Sequence, residues 1–238
     1  MKLTIIGTGG MATKYNSANY LIDDNILIDI PNGSCKALRR MDKDIQNIEH
    51  VLITHFHGDH YFDLPFYLLA KNKKEKSIAN IYTCKKGIKK SKKIFKLAFP
   101  NSVKKVNKNM TINYITDLSF KIGNYFIEKI LVDHGNLKPA YGYIISDNNF
   151  KVGFTGDTSY TDSIKMMAEK CDYLVCDCSF KVGNDKHMGI DNIVEMANHY
   201  PNHKFVVSHL SDASKLALKD IKLENIIVPE DGNIIFDN

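Results

Sequence analysis

Only two of the 32 basic residues in this 238-residue chain are arginines, Arg39 and Arg40. Arginine is the usual choice for bidentate phosphate contacts, so its scarcity weighs against a dedicated nucleic-acid reader. No apolar stretch approaches the roughly 20 residues needed to span a bilayer, which excludes a transmembrane helix. The opening Met1-Lys2-Leu3-Thr4-Ile5-Ile6-Gly7 carries one charge and a short apolar run that leads straight into glycines. It lacks the h-region and small-residue cleavage site of a signal peptide, so a soluble, cytoplasmic protein without membrane attachment is expected.

The five cysteines, Cys35, Cys84, Cys171, Cys176 and Cys178, are odd in number and lack the paired spacing of a zinc ribbon or a secreted disulfide framework. Reduced thiols are expected, with Cys176 and Cys178 on one side of a strand-like run and packed as small apolar groups. There is no low-complexity linker and no repeat visible by residue identity. The length is sufficient for one large domain with a real core, and a single domain over 1–238 is expected.

What the chain does contain in excess is lysine, and it is unevenly placed. Between Lys71 and Lys108 there are 14 lysines and one acid, Glu75. That segment carries +13 in a chain of net charge +5, which leaves −8 on the remainder. Such asymmetry suits a polyanionic partner such as RNA, DNA or a phosphorylated metabolite, and equally a plain solvated lysine face.

Strands and helices alternate throughout. Strands are expected at Lys2 to Ile6, Ala18 to Ile22 and Asn25 to Ile30, the last two joined by a tight turn at Asp23-Asp24. A short helix around Cys35 to Met41 precedes a buried strand at Val51 to Thr54, and Leu64 to Lys71 reads as a helix with Pro65 in its first turn. A strand at Asn80 to Thr83 leads to a helix at Ile88 to Phe99 with lysines opposite its apolar face. Strands follow at Thr111 to Ile115, Ser119 to Ile122, Tyr125 to Val132, Tyr141 to Ser146, Lys151 to Thr155, Tyr173 to Cys178 and Lys204 to Ser208. Helices are expected at Ser163 to Lys170, at Asp191 to Tyr200 with Asp191 as cap, and at Ala213 to Ile221. Short strands at Asn225 to Val228 and Asn233 to Phe236 close the chain. Two series of strands with interspersed helices imply an α/β protein of two packed sheets with helices outside.

The densest chemistry is His55-Phe56-His57-Gly58-Asp59-His60, directly after the apolar run Val51-Leu52-Ile53. Three imidazoles and a carboxylate within six residues bring metal-ligand side chains to one spot. Further candidates stand at the ends of later strands: His134 after Ile130-Leu131-Val132, Asp157 after Phe154-Thr155-Gly156, and His209 after Val206-Val207-Ser208. Five histidines and two carboxylates are enough for two metals. The carboxylates leave manganese or iron open, while imidazole ligands suit zinc.

In this order, Thr54 to His60, His134, Gly156-Asp157-Thr158 and Ser208-His209 resemble the motifs of the metallo-beta-lactamase-fold hydrolase superfamily. The resemblance implies an αβ/βα four-layer sandwich and two divalent metals. It places His55, His57 and His134 on one ion and Asp59, His60 and His209 on the other, with Asp157 bridging and Asp59 also counted as catalytic. Within the superfamily, Gly58 to Pro65, Gly7-Thr8-Gly9-Gly10 and Leu27 to Gly33 are similar to ribonuclease Z and small phosphodiesterases, although Asp63 stands where glycine is usual. His187 occupies the place of a histidine that serves there as general acid and phosphate ligand. Only 22 residues separate His134 from Asp157, too few for the long tRNA arm of ribonuclease Z.

A phosphodiesterase acting on a cyclic, nucleotide or nucleic-acid phosphodiester is therefore expected, with a homodimer left open. Competing readings are a metal-dependent thioesterase or lactonase, and a nucleic-acid-binding module centred on the lysine-rich segment 71–108. Lys138 and Tyr141 are candidates for a pocket mouth. His50, His199 and His203 are read as surface or structural.

Overall fold

Lys2–Gly7 (β1) turns back into Asn19–Ile22 (β2), which pairs with Ile26–Ile28 (β3) through a turn where Asp23 and Asp24 adopt φ of 48° and 55°. Three residues, Asp23 to Asn25, join the paired Ile22 and Ile26, and aspartate tolerates the left-handed region better than most side chains. The computed structural model describes residues 1–73 and 76–237, so Lys74 and Glu75 of the lysine-rich segment lie outside the described residues. The strand expected over Asn25 to Ile30 is shorter because Asp29 takes φ 59° and breaks the extended ladder.

The first unit comprises Met1–Gly7, Asn16–Thr116 and Glu230–Asn238. It continues with Ser34–Arg40 (α1), His50–Leu52 (β4), Gly58–Tyr61 (α2), Leu64–Lys71 (α3), Ser77–Tyr82 (β5), Lys85–Ala98 (α4), Val103–Asn109 (α5) and Met110–Ile115 (β6). The chain's last strand, Ile234–Asp237, pairs with β1, and the sheet then runs in order β1 to β6 with β3 through β6 parallel. Leu21, Leu27, Val51, Tyr67, Ile81 and Phe95 lie in its core. Each such side chain contributes about 1.5–3 kcal/mol by leaving water.

In α4 the Cys84 thiol accepts from Gly87 N at the start, Phe95 turns inward, and all seven lysines are exposed. Lys71 departs from the solvated face: it is buried, and its Nζ donates to Gln46 O at 2.8 Å. The short helices α2 and α5 were not expected. Each is about two turns or less, too short for a hydrophobic period to register.

The second unit comprises Thr8–Tyr15 and Asp117–Pro229. Its elements are Ser119–Ile122 (β7), Tyr125–His134 (β8), Leu137–Ser146 (β9), Lys151–Phe154 (β10), Asp162–Lys170 (α6), Tyr173–Asp177 (β11), Ile190–His199 (α7), Lys204–Ser208 (β12), Asp212–Ala217 (α8) and Ile226–Ile227 (β13). The sheet order is β13-β12-β11-β10-β9-β8-β7, with β10 to β13 parallel and the rest antiparallel. Its core gathers Ile144, Met167, Leu174, Ile193 and Phe205 with Cys171, Cys176 and Cys178. All five cysteines are free, and burial pushes the Cys176 thiol well up, as expected of inert packing groups.

Three boundaries differ from expectation. Strand β8 runs on through His134, and β9 begins at Leu137, so His134 belongs to a long hairpin. Helix α7 is capped at Gly189 and not at Asp191, whose carboxylate instead accepts from Gly183 N at 2.9 Å. A Cβ on Gly189 would strike the Gly183 backbone, so this loop closes only around glycine. The helix expected from Ala213 to Ile221 splits into α8 and a 3₁₀ turn at Leu218–Asp220. Two mixed seven-stranded sheets with helices give the α/β class. Among the described residues no helix is long and apolar enough to cross a membrane.

Candidate metal centre

In the first unit, buried β4 delivers Ile53 and Thr54 into the histidine loop, with Ile53 N still bonded to Tyr82 O of the neighbouring strand. His55 is buried, His57 is exposed as the N-cap of α2, and Asp59 and His60 follow in that helix. His55 Nε2 and His57 Nδ1 are 3.2 Å apart. Two nitrogens at about 2.0–2.1 Å from a tetrahedral zinc ion would be about 3.3 Å apart, so the pair suits a shared cation.

Asp29 holds this loop. Its buried carboxylate accepts from Thr54 N, Thr54 Oγ1 and His60 Nδ1, each at 2.7 Å. Because the Thr54 hydroxyl donates to Asp29, it accepts from His55 Nδ1 at 3.1 Å. One carboxylate thereby assigns the proton to Nδ1 of both imidazoles and makes Nε2 the lone-pair nitrogen of each. Burial raises the Asp29 pKa, against the opposing pull of His60 and Thr54.

In the second unit the sites follow from the sheet. Strands β10, β11 and β12 are parallel neighbours, so their carboxyl ends place Asp157, Asp177 and His209 side by side. The carboxyl ends of parallel strands are the usual place for a ligand site. His209 adopts φ 52°, a left-handed conformation that histidine tolerates better than most large side chains. Its Nε2 lies 3.3 Å from Asp157 Oδ2, and His134 Nε2 lies 4.0 Å from the same oxygen. His134 Nδ1 donates to Lys186 O at 2.8 Å, which again turns Nε2 toward Asp157. One ligand atom from each of Asp157, His187 and His209 falls within 4.8 Å of the others. The donor set, the spacing and the anchored far nitrogens fit divalent-metal binding.

Asp177 is the organising group here. Its carboxylate accepts from Thr158 N at 3.1 Å, Ser179 N at 3.1 Å, Ser179 Oγ at 2.6 Å and His187 Nδ1 at 2.8 Å. Ser179 Oγ in turn accepts from His209 Nδ1 at 2.8 Å. His187 stacks on His209 with ring centroids 5.4 Å apart. Burial alone would lower the His187 pKa, but the hydrogen bond and charge of Asp177, and then Asp157, outweigh it and leave it raised. A cavity of about 380 Å³ opens beside His187 and His209, lined also by Met11, Thr13 and Phe180.

The sequence did not single out Asp29, Asp177 and Ser179, whose hydrogen bonds hold these imidazoles. The signal was present but faint: each acid ends an apolar strand, as Asp157 does. His50 and His203 are structural, bonded to Tyr82 Oη and Ala168 O, and His199 packs edge-on against Tyr200. Tyr141 packs against Lys129, whose Nζ lies 5.3 Å from the ring centroid. Met188, beside His187, is buried in the core and anchors that loop by packing.

A histidine loop after a buried strand, with acid and imidazole at the ends of parallel strands in mixed sheets, defines a metallo-beta-lactamase-fold hydrolase. The fold matches a solved metallo-beta-lactamase fold protein, YhfI from Bacillus subtilis, with a TM-score of 0.78 and 20% identity over 98% of each chain. Within that class the chain belongs to the family of the Anti-Pycsar protein Apyc1, whose family model matches residues 1–226. It is 28% identical over 184 residues to an Anti-Pycsar protein Apyc1 from Paenibacillus sp. (strain J14), covering 70% of each. It is also 24% identical over 253 aligned positions to a ribonuclease Z from Thermococcus sibiricus, covering 83% of this chain and 80% of that protein.

Proposed function

We propose that the chain is a dinuclear metal-dependent phosphodiesterase acting on a cyclic or nucleotide phosphodiester, with both units working as one catalytic domain. In this reading His55, His57 and His134 would hold one ion, Asp59, His60 and His209 would hold the other, and Asp157 would be shared by both. Zinc suits the imidazoles, and manganese or iron is compatible with the carboxylates. Bound there, the ions would supply Lewis acidity and lower the pKa of water from about 15.7 toward about 7.

The observation that carries the reading is the Asp177–His187 pair, 2.8 Å apart and beside Asp157 and His209. A phosphodiester must expel an alkoxide, and a held, protonated imidazole is the donor that such a leaving oxygen needs. Asp177 accepts a hydrogen bond from His187 Nδ1–H, which leaves Nε2–H as the proton that His187 can deliver. The cavity beside His187 offers room for the departing group. Support for phosphate over acyl chemistry also comes from the ribonuclease Z relative, while β9 and β10 occupy the interval where a tRNA arm would have to emerge.

The test is a screen of metal-reconstituted protein against bis(p-nitrophenyl) phosphate, 3′,5′- and 2′,3′-cyclic nucleotides, acyl thioesters and lactones. Turnover of the phosphodiesters is expected. Ester or lactone cleavage without phosphodiester cleavage would replace this reading by a thioesterase or lactonase.

A further inference from the structure

Strand β6 pairs with β5 on one side and ends the strand order of its sheet on the other. A cleft of about 610 Å³ is lined by this strand together with α3, α4 and α5. Phe95 and Leu68 supply apolar wall, and Ile112 and Tyr114 come from alternate positions of β6, as the two-residue period of a strand requires. Lys92 and Lys96 line the same cleft and are exposed, with Lys92 Nζ 5.4 Å from the Tyr114 ring centroid. No Asp or Glu occurs between Lys76 and Thr116. Five further exposed lysines of α4, and Lys104, Lys105 and Lys108 of α5, share that acid-free segment.

Three features therefore coincide: an edge strand at the end of its sheet, an apolar cleft of ligand-binding size, and an uncompensated positive rim. A second copy of this chain is a poor occupant, since edge-to-edge pairing would set the same lysines against each other. A nucleic acid would use the lysines but has no need of the strand edge or the apolar wall. We propose that this cleft binds an acidic, extended segment of a partner protein. That segment adds as a strand to β6, with alternate apolar side chains in the cleft and carboxylates facing Lys92 and Lys96. The site lies entirely in the first unit and does not depend on the hydrolase reading.

A fluorescein-labelled peptide of alternating valine and glutamate tests it by anisotropy at low salt. Binding is expected, with protection from hydrogen exchange gained at the backbone amides of β6. The double variant Lys92→Glu, Lys96→Glu should weaken binding by about tenfold or more. Its unfolding midpoint and phosphodiester turnover, measured alongside, should match those of the parent protein. A peptide N-methylated at alternate residues should fail to bind, because it cannot complete the ladder. Absence of peptide binding, equal binding of the N-methylated peptide, or preferential binding of oligothymidylate would each overturn the proposal.

Discussion

Asp177 Oδ2 stands 2.8 Å from His187 Nδ1, and the same carboxylate reaches His209 through the Ser179 hydroxyl. One buried acid thus orients both the proposed proton donor and a proposed metal ligand. Asp177→Asn should keep the fold but disturb both imidazoles, because an amide cannot accept at both positions. A loss of about 10- to 100-fold in kcat is expected, the usual size for a group that orients ligands. Unchanged kcat with normal metal content would reduce Asp177 to a packing role.

His187 is expected to act on the leaving oxygen. His187→Ala should lower kcat within the range of about 10² to 10⁴ associated with proton donation, without removing metal. An alkyl phosphodiester should lose more than a p-nitrophenyl ester, whose phenoxide leaves without help. Equal losses would assign His187 to phosphate binding instead.

Metal content follows from the donor sets of both units. Elemental analysis after supplementation should find about two transition metals per chain. Asp157→Ala should abolish turnover and reduce the stoichiometry, with a circular dichroism spectrum like the parent's. Near-normal turnover would mean that a different side chain bridges.

A pH effect on stability should arise at His50, which is bonded to Tyr82 Oη and stands five residues before His55. Burial lowers its pKa from 6.5, partly opposed by Glu49 and reinforced by Lys71. The unfolded chain therefore binds this proton first as pH falls. The stability His50 contributes is present above the unfolded value and is lost as pH drops from 6.5 through the lowered folded value. His50→Gln should flatten the dependence of the urea midpoint between about pH 7.5 and about pH 5. An identical slope in the variant would exclude His50 as a source.

Much of the candidate site could be read along the chain. His55, His57, Asp59 and His60 lie so close in sequence that local chain geometry alone brings them together. His134, Asp157 and His209 could be found because each terminates an apolar run. The α/β class followed in the same way, from alternating hydrophobic periods. Element ends were less legible, since Asp29 breaks β3 by a left-handed backbone and Gly189 caps α7 through a close backbone approach.

By itself the sequence determined which side chains are available as ligands and the order in which they occur, because those depend on residue type and near neighbours. Only tertiary structure decided that Asp29 grips the histidine loop, that Asp177 and Ser179 link His187 to His209, and that β6 ends its sheet beside a basic cleft. Each of these depends on which strands lie next to one another. Strand neighbourhood is set by long-range pairing and burial, which no short stretch of residues encodes.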